Sequence, residues 1–335
     1  MEPDTEHKVT TAICTICPHN CSIRQGATGL CGVRTNRADG AVTLATYGYV
    51  SGYGNDPIEK KPLYHFFPGT TILSVGSYGC NLRCDFCQNC SISQEFDLTS
   101  ARKMTPDSIV ADALSIAGNT GVAFTYNEPI VWFEYMRDTA TQAHQKGLKT
   151  VMVSNGYASR ATIQEAITFI DAFNIDLKFF SNESYKKFTG GTIDPVLRSI
   201  FDIAQAGRHL EMTTLIIPTL NDTTEEIGRM AAWIASETGK ETPLHLSRYF
   251  PAYKRDTPGT PAETLKELHA AASEHLSFVY TGNAPSLKLS DTNCPGCGSK
   301  LTERNNYVTK LFNLTPEGRC SNCDRTIFRY FTSPL

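Results

Sequence analysis

Twelve cysteines in three tight groups constrain this chain more than any other feature. Cys14, Cys17, Cys21 and Cys31 form the first group. Cys80, Cys84, Cys87 and Cys90 form the second, and Cys294, Cys297, Cys320 and Cys323 the third. A disulfide framework suits small secreted chains. This chain has 335 residues, and its first ten, MEPDTEHKVT, are polar with no secretory pattern. Gaps of two or three residues let neighbouring thiolates converge on one centre, so metal sites are the better reading. The expected compartment is the cytosol. A net charge of −3, with no basic stripe, argues against nucleic acid or an anionic membrane as partner. No apolar run is long enough to span a bilayer.

Between the cysteine groups the pattern is regular. Residues 1–70 are rich in Cys, Gly and turn formers and read as an N-terminal extension with a metal site. From Ile72 strands and helices alternate. Strands are expected at Ile72–Ser77, Gly121–Thr125, Lys149–Ser154, Phe173–Lys178, Glu211–Ile217 and Pro243–Arg248, with Phe278–Thr281 as a last one. Thr105 and Ser159 are N-cap candidates, and Thr223/Glu226 and Thr260/Glu263 read as capping boxes. Repeated βα units imply a parallel sheet with helices outside, either doubly wound or a partial barrel. The expected fold class is α/β, a partial (β/α)6 TIM-like barrel over residues 71–285, with a zinc-ribbon or rubredoxin-like tail over 286–335. In either arrangement the site lies at the C-terminal ends of the strands.

The first of these strands runs straight into Tyr78-Gly79-Cys80-Asn81-Leu82-Arg83-Cys84-Asp85-Phe86-Cys87. Three thiolates on one loop can bind three irons of a cubane and leave the fourth open. An open iron can chelate the amino and carboxylate groups of S-adenosylmethionine, and its electron breaks the S–C5′ bond to release a 5′-deoxyadenosyl radical. Structural zinc normally needs four ligands, which Cys90 would have to complete. The strand ends that follow carry polar groups. Thr125-Tyr126-Asn127-Glu128-Pro129 offers a charged acceptor for an ammonium, although Glu128 also suits a helix N-terminus. Ser154 and Asn155 can bond hydroxyls or a carboxylate, or simply form a turn. Asp176 and Lys178 share one strand face, and His245 lies on the sixth strand.

The C-x3-C-x-Φ-C loop, with Phe86 as the aromatic, resembles the radical S-adenosylmethionine signature. Asp56-Pro57-Ile58-Glu59-Lys60-Lys61-Pro62-Leu63-Tyr64-His65-Phe66, Gly79-Cys80-Asn81-Leu82 and Cys87-Gln88-Asn89 resemble enzymes related to pyruvate formate-lyase activating enzyme. Across nearly the whole chain the likeness is to the AmmeMemoRadiSam system radical enzymes. That family usually has an aromatic residue where this chain has Cys90. The resemblance implies a [4Fe–4S] cluster on Cys80, Cys84 and Cys87, with S-adenosylmethionine held around Phe86, Tyr126, Asn127, Glu128, Ser154, Asn155, Asp176, Lys178 and His245. Tyr126 and Asn127 stand where a Gly-Gly-Glu-Pro-like motif has its glycines. It also implies a reductant such as ferredoxin or flavodoxin and hydrogen abstraction from a substrate that is either a partner protein, as for the activating enzymes, or a small molecule; a metal-binding interaction module without catalysis is the alternative reading.

The outer groups read separately. Cys14, Cys17, Cys21 and Cys31 can close one tetrahedral or cubane site, so zinc and an auxiliary iron–sulfur cluster both fit. His19 is a substitute ligand. Cys294-x2-Cys297 and Cys320-x2-Cys323 are two knuckles of a zinc ribbon, with a rubredoxin-like iron site as the alternative. Tyr307, Phe312, Phe328, Tyr330 and Phe331 are expected to fill its core.

Overall fold

Eight strands pair into one sheet: β1 (Gly52–Pro57), β2 (Thr71–Gly76), β3 (Asn119–Phe124), β4 (Lys149–Ser154), β5 (Ala172–Asp176), β6 (His209–Ile216), β7 (Leu244–Arg248) and β8 (Val279–Gly282). The computed structural model describes residues 11–331 apart from Ala38 and Ser100, so the N-terminal stretch read for a signal lies outside the described residues. Spatial order follows chain order from β1 to β8. The β1–β2 pair is antiparallel and every later pair is parallel. A doubly wound sheet reverses its strand order at a switch point. Here each crossover steps one strand onward, which is the winding of a barrel, and β1 and β8 remain as the two ends of the sheet.

Alternation along the strands sorts the two faces. Val122, Phe124, Met152, Phe173 and Ile175 pack under the helices. Ile72, Ala123, Val151 and Ala172 point inward, where Ile58, Leu63 and Phe66 meet them. The Asp56–Phe66 segment therefore stoppers the N-terminal end of the barrel. Its polar groups fasten it there. Asp56 accepts from Lys60 at 2.8 Å, Lys61 at 2.7 Å and the Tyr126 hydroxyl at 2.5 Å. Glu211 of β6 accepts the backbone N–H groups of Tyr64 and His65 at 2.9 and 2.7 Å, and Asn174 of β5 donates to Pro62 O at 2.8 Å. The sheet thus begins at Gly52, well ahead of residue 71.

The outer helices start as their sequences dictate. Thr105, Ser159 and Thr223 accept the N–H groups of Ser108, Thr162 and Glu226. Glu226 does not return the bond to complete a capping box; it accepts Phe180 N–H at 2.7 Å and ties the loop after β5 to this helix. Thr260 is not a cap at all. Pro261 takes that position, and the buried Thr260 hydroxyl donates to Ile216 O at 2.6 Å and accepts from Tyr249 N–H at 3.0 Å. No helix among the described residues is long and apolar enough to cross a membrane.

After β8 a three-stranded antiparallel ribbon forms from Thr292–Asn293, Lys300–Asn305 and Val308–Leu311. Its core joins Cys294, Leu301, Cys320, Ile327 and Phe328 to Tyr64, Phe278 and Tyr280 of the barrel. Arg304 lies 4.1 Å over the Tyr64 ring and donates to Tyr64 O at 2.9 Å. Phe328 and Phe331 stack within this core, whereas Tyr307 and Phe312 are exposed. Tyr330 packs instead on Phe66, at the base of the barrel, because its backbone pairs there.

Candidate active site

The cysteine loop leaves β2 at Gly76 and is held from three sides. Asn127 Oδ1 accepts Ser77 N–H at 2.9 Å and Trp132 Nε1–H at 3.2 Å, and its Nδ2 donates to Gly79 O at 2.9 Å. Asn81 donates to Tyr157 O at 2.6 Å and accepts from Asn155 Nδ2 at 2.9 Å. Asn89 donates to Tyr126 O at 2.6 Å. Gly79 has φ +84°, and a Cβ there would stand 2.5 Å from Cys31 O. Only glycine lets the loop pass so close to the N-terminal segment.

Cys80, Cys84 and Cys87 face one cavity of about 240 Å³ at the C-terminal ends of the strands, with Phe86, Glu128, Ser154, Asn155, Asp176 and Lys178 around it. Burial raises all three thiols, Cys84 to about 12. Buried thiols that resist ionisation become thiolates when a cation takes the charge. Donors for such sulfurs are already in place: Leu82 N–H lies 3.4 Å from Cys80 Sγ, and Asn155 Nδ2 lies 3.6 Å from it. Three inward thiols, N–H donors and an adjoining polar cavity fit a cluster ligated at three irons. Cys90 opens a short helix, Cys90–Ser93, and does not line this cavity.

Glu128 is 3% exposed. Burial raises its carboxyl to about 7 against three donors that lower it. These donors are Asn155 N–H at 2.8 Å, Ile130 N–H at 3.0 Å and the Ser154 hydroxyl at 2.7 Å. Oε1 takes two and Oε2 takes one, so one of about four acceptor positions stays open. Glu128 caps the Pro129–Trp132 turn and faces the cavity at once. Lys178 Nζ lies 2.9 Å from Asp176 Oδ2. Burial pulls Lys178 down, but Asp176 and then Cys84 outweigh it and raise it above its ordinary value, so it stays a cation beside the cysteines.

Two expected residues stand elsewhere. Tyr126 borders the cavity with its backbone, but its hydroxyl reaches away to Asp56 and its ring lies under Lys61 Nζ at 4.5 Å. Its φ of +71° is left-handed, a conformation that suits glycine, and Gly52 and Gly76 leave room for the ring. His245 points inward, as alternation requires, but one layer too deep. It donates toward Glu211 at 2.7 Å and packs edge-on against Tyr64 at 4.6 Å, while Ser247, two residues on, lines the cavity. Sequence reasoning missed Asn81, Asn89, Thr213, Leu215 and Ser247. The last three lie on strand faces that the alternation of Glu211 and His245 already marks.

The outer cysteines differ in geometry. Cys294 and Cys323 sulfurs are 3.4 Å apart, and those of Cys297 and Cys320 are 3.6 Å apart. All four lie within 4.8 Å of one another. Four sulfurs at zinc's ~2.3 Å bond length are about 3.8 Å apart at the corners of a tetrahedron. This group is thus able to hold zinc or an iron ion. Cys14, Cys17, Cys21 and Cys31 surround a separate small cavity.

The chain carries a radical SAM superfamily domain over residues 74–234. It is therefore an enzyme whose domain uses a [4Fe–4S] cluster and S-adenosylmethionine. An uncharacterized protein of Methanocaldococcus jannaschii is 40% identical over 318 residues, 94% of each chain. The pyruvate formate-lyase-activating enzyme of Clostridium pasteurianum is 24% identical over 161 residues, 46% of this chain and 65% of that one. In fold the chain is similar to SuiB of Streptococcus suis, solved with S-adenosylmethionine bound: TM-score 0.51 at 13% identity, over 68% of this chain and 54% of that one.

Proposed function

We propose that this protein reductively cleaves S-adenosylmethionine to abstract hydrogen from a protein substrate, as an AmmeMemoRadiSam-type relative of the activating enzymes. One observation carries the reading: three inward cysteines of one loop share a cavity with a buried carboxylate that keeps an acceptor position free. When bound, the cluster on Cys80, Cys84 and Cys87 supplies an open iron for the methionine end of the cofactor and the electron that breaks its S–C5′ bond.

The chain's own residues do the rest. Glu128 takes the cofactor's ammonium at its remaining position, in a buried setting where a charge-assisted bond is strong. Asn155 stands between Cys80 and Glu128, so its amide orients both. Lys178 offsets thiolate charge from the far wall and is itself steadied by Asp176. Phe86, edge-on to Phe179 at 5.9 Å, keeps water from that wall. Asn127 holds the loop through Ser77 N–H and Gly79 O. A one-electron donor of the ferredoxin or flavodoxin kind completes the reaction. The relatives named as activating enzymes support a protein substrate.

The test is isotope transfer. The reconstituted enzyme, S-adenosylmethionine and reductant are incubated without oxygen with fractions of a deuterated lysate. Deuterium in 5′-deoxyadenosine from the macromolecular fraction, removed by protease and not by nuclease, is expected. Deuterium only from the small-molecule fraction overturns the protein-substrate reading.

A further inference from the structure

The N-terminal cysteines lie against the cluster loop, yet the chemistry above does not use them. Cys14 and Cys21 flank a hairpin in which Thr11–Ile13 pairs with Ser22–Arg24, and Cys14 N–H donates to Cys21 O at 3.0 Å. Cys17 sits in the turn between them, and Cys31 in the Gly29–Gly32 turn. Cys14, Cys17 and Cys31 are buried, and none of the four is in a disulfide. Together they enclose a cavity completed by Arg34 and Asn81.

We propose that Cys14, Cys17, Cys21 and Cys31 hold a second iron–sulfur cluster, a cubane ligated at all four irons, which passes electrons to the central site past Asn81. The occupancy stands on its own geometry; the electron's destination rests on the function proposed above.

The first of three observations favours a cluster over zinc, and the other two mark an anionic thiolate site. First, spacing. Among the described residues only the C-terminal four bring three or more ligand atoms within 4.8 Å. No three of the N-terminal sulfurs lie within 4.8 Å of one another, whereas zinc demands about 3.8 Å between sulfurs. A cubane puts each thiolate on a different iron and so needs the wider spread. Second, donors. His19, Arg34 and Asn81 line the cavity together with the four cysteines and bring N–H groups to it. Amides aimed at sulfur are a means by which proteins tune iron–sulfur clusters. Third, Arg34 is 3% exposed and lines the cavity. One end pairs with Glu134 at 2.5 Å, but its buried Nε has no partner. A guanidinium N–H left bare against four cysteines is accounted for by an anionic cluster.

Asn81 joins the two sites. It follows Cys80 in the chain, it lines the N-terminal cavity with Cys17, His19 Nε2 meets its carbonyl oxygen at 2.7 Å, and Asn155 Nδ2 bonds its Oδ1 and approaches Cys80 Sγ. One residue thus spans from a ligand of one cluster to a ligand of the other. A low-potential one-electron donor reduces the N-terminal cluster by one electron and is itself oxidised. That cluster then returns to its resting state as the central cluster gains the same electron.

The test uses the full chain, reconstituted without oxygen. Wild type is expected to hold about eight irons and one zinc. Mössbauer spectra should resolve two cubanes, and only one should respond to S-adenosylmethionine. About four irons with two zincs, measured on the wild type and so free of any folding defect, would overturn the proposal. The C17S/C31S double variant should lose about four irons and keep its zinc. C84A should lose the other four, which separates failure here from failure of the central assignment. With dithionite the double variant should cleave S-adenosylmethionine within about threefold of wild type; with reduced flavodoxin it should fall at least tenfold. Equal rates with both donors would overturn the relay.

Discussion

The backbone N–H of Asn155 donates to Glu128 Oε2 at 2.8 Å, so the end of β4 is clamped to the end of β3 by a group that also faces the cofactor cavity. Capping and cofactor binding are therefore compatible uses of one carboxylate, because three donors leave one acceptor position free. E128Q can keep the oxygen that takes Ile130 N–H and Ser154, turns an NH2 toward Asn155 N–H, and removes the charge. Anaerobic calorimetry should show S-adenosylmethionine bound about ten- to a hundredfold more weakly, from a loss of roughly 1.5–3 kcal/mol. Iron content should not change. Unchanged affinity would leave Glu128 as a cap alone.

The cysteine loop makes a sharper prediction. C80A, C84A and C87A should each lose the central cluster, since each thiol faces the cavity. C90A should retain it. Iron and sulfide analysis beside the visible charge-transfer band distinguishes these outcomes. Loss of the cluster in C90A with retention in C87A would reverse the ligand assignment.

The stopper beneath the barrel depends on pH. Burial would raise the Asp56 carboxyl, but Lys60, Lys61 and the Tyr126 hydroxyl hold it well below its ordinary 3.8. A carboxyl lowered by folding contributes stability that is present above the unfolded value and is lost as pH falls through the folded one. Wild type should therefore lose stability progressively below about pH 4. D56N strands Lys61, which is 1% exposed, and should cost about 3 kcal/mol at pH 7. Its stability should then vary less than wild type between pH 4 and pH 2. Denaturant titrations across this range read both effects.

The ribbon should carry one tetrahedral ion. C323S should release one metal equivalent, with the central iron retained. Because Tyr64 and Tyr280 belong to the ribbon core, metal loss should also lower Tm by several degrees. Full metal content in C323S would place the ion elsewhere.

What the sequence made legible follows from what spacing can encode. The strands of the barrel appear as apolar runs because a parallel sheet buries both faces. The cysteine loop appears because its geometry lies within a few residues. Depth is different. Alternation shows that His245 points inward, but not that it stands a layer below Ser247 beside Glu211. Tyr126 hides a left-handed backbone that only glycine would advertise. Thr260 with Glu263 has the spacing of a capping box, yet the Thr260 hydroxyl bonds Ile216 O, a partner 44 residues away. The tie from Asp56 to Tyr126 and from Glu211 to Tyr64 is likewise tertiary. Local patterns carry no record of it.

The central claim is tested most directly by product analysis after anaerobic reconstitution with iron, sulfide, S-adenosylmethionine and dithionite. Wild type should release 5′-deoxyadenosine and methionine in equal amounts, C84A neither, and E128Q less at limiting S-adenosylmethionine. A protein that holds its iron and binds S-adenosylmethionine but forms no 5′-deoxyadenosine, with or without candidate substrate, would contradict the account.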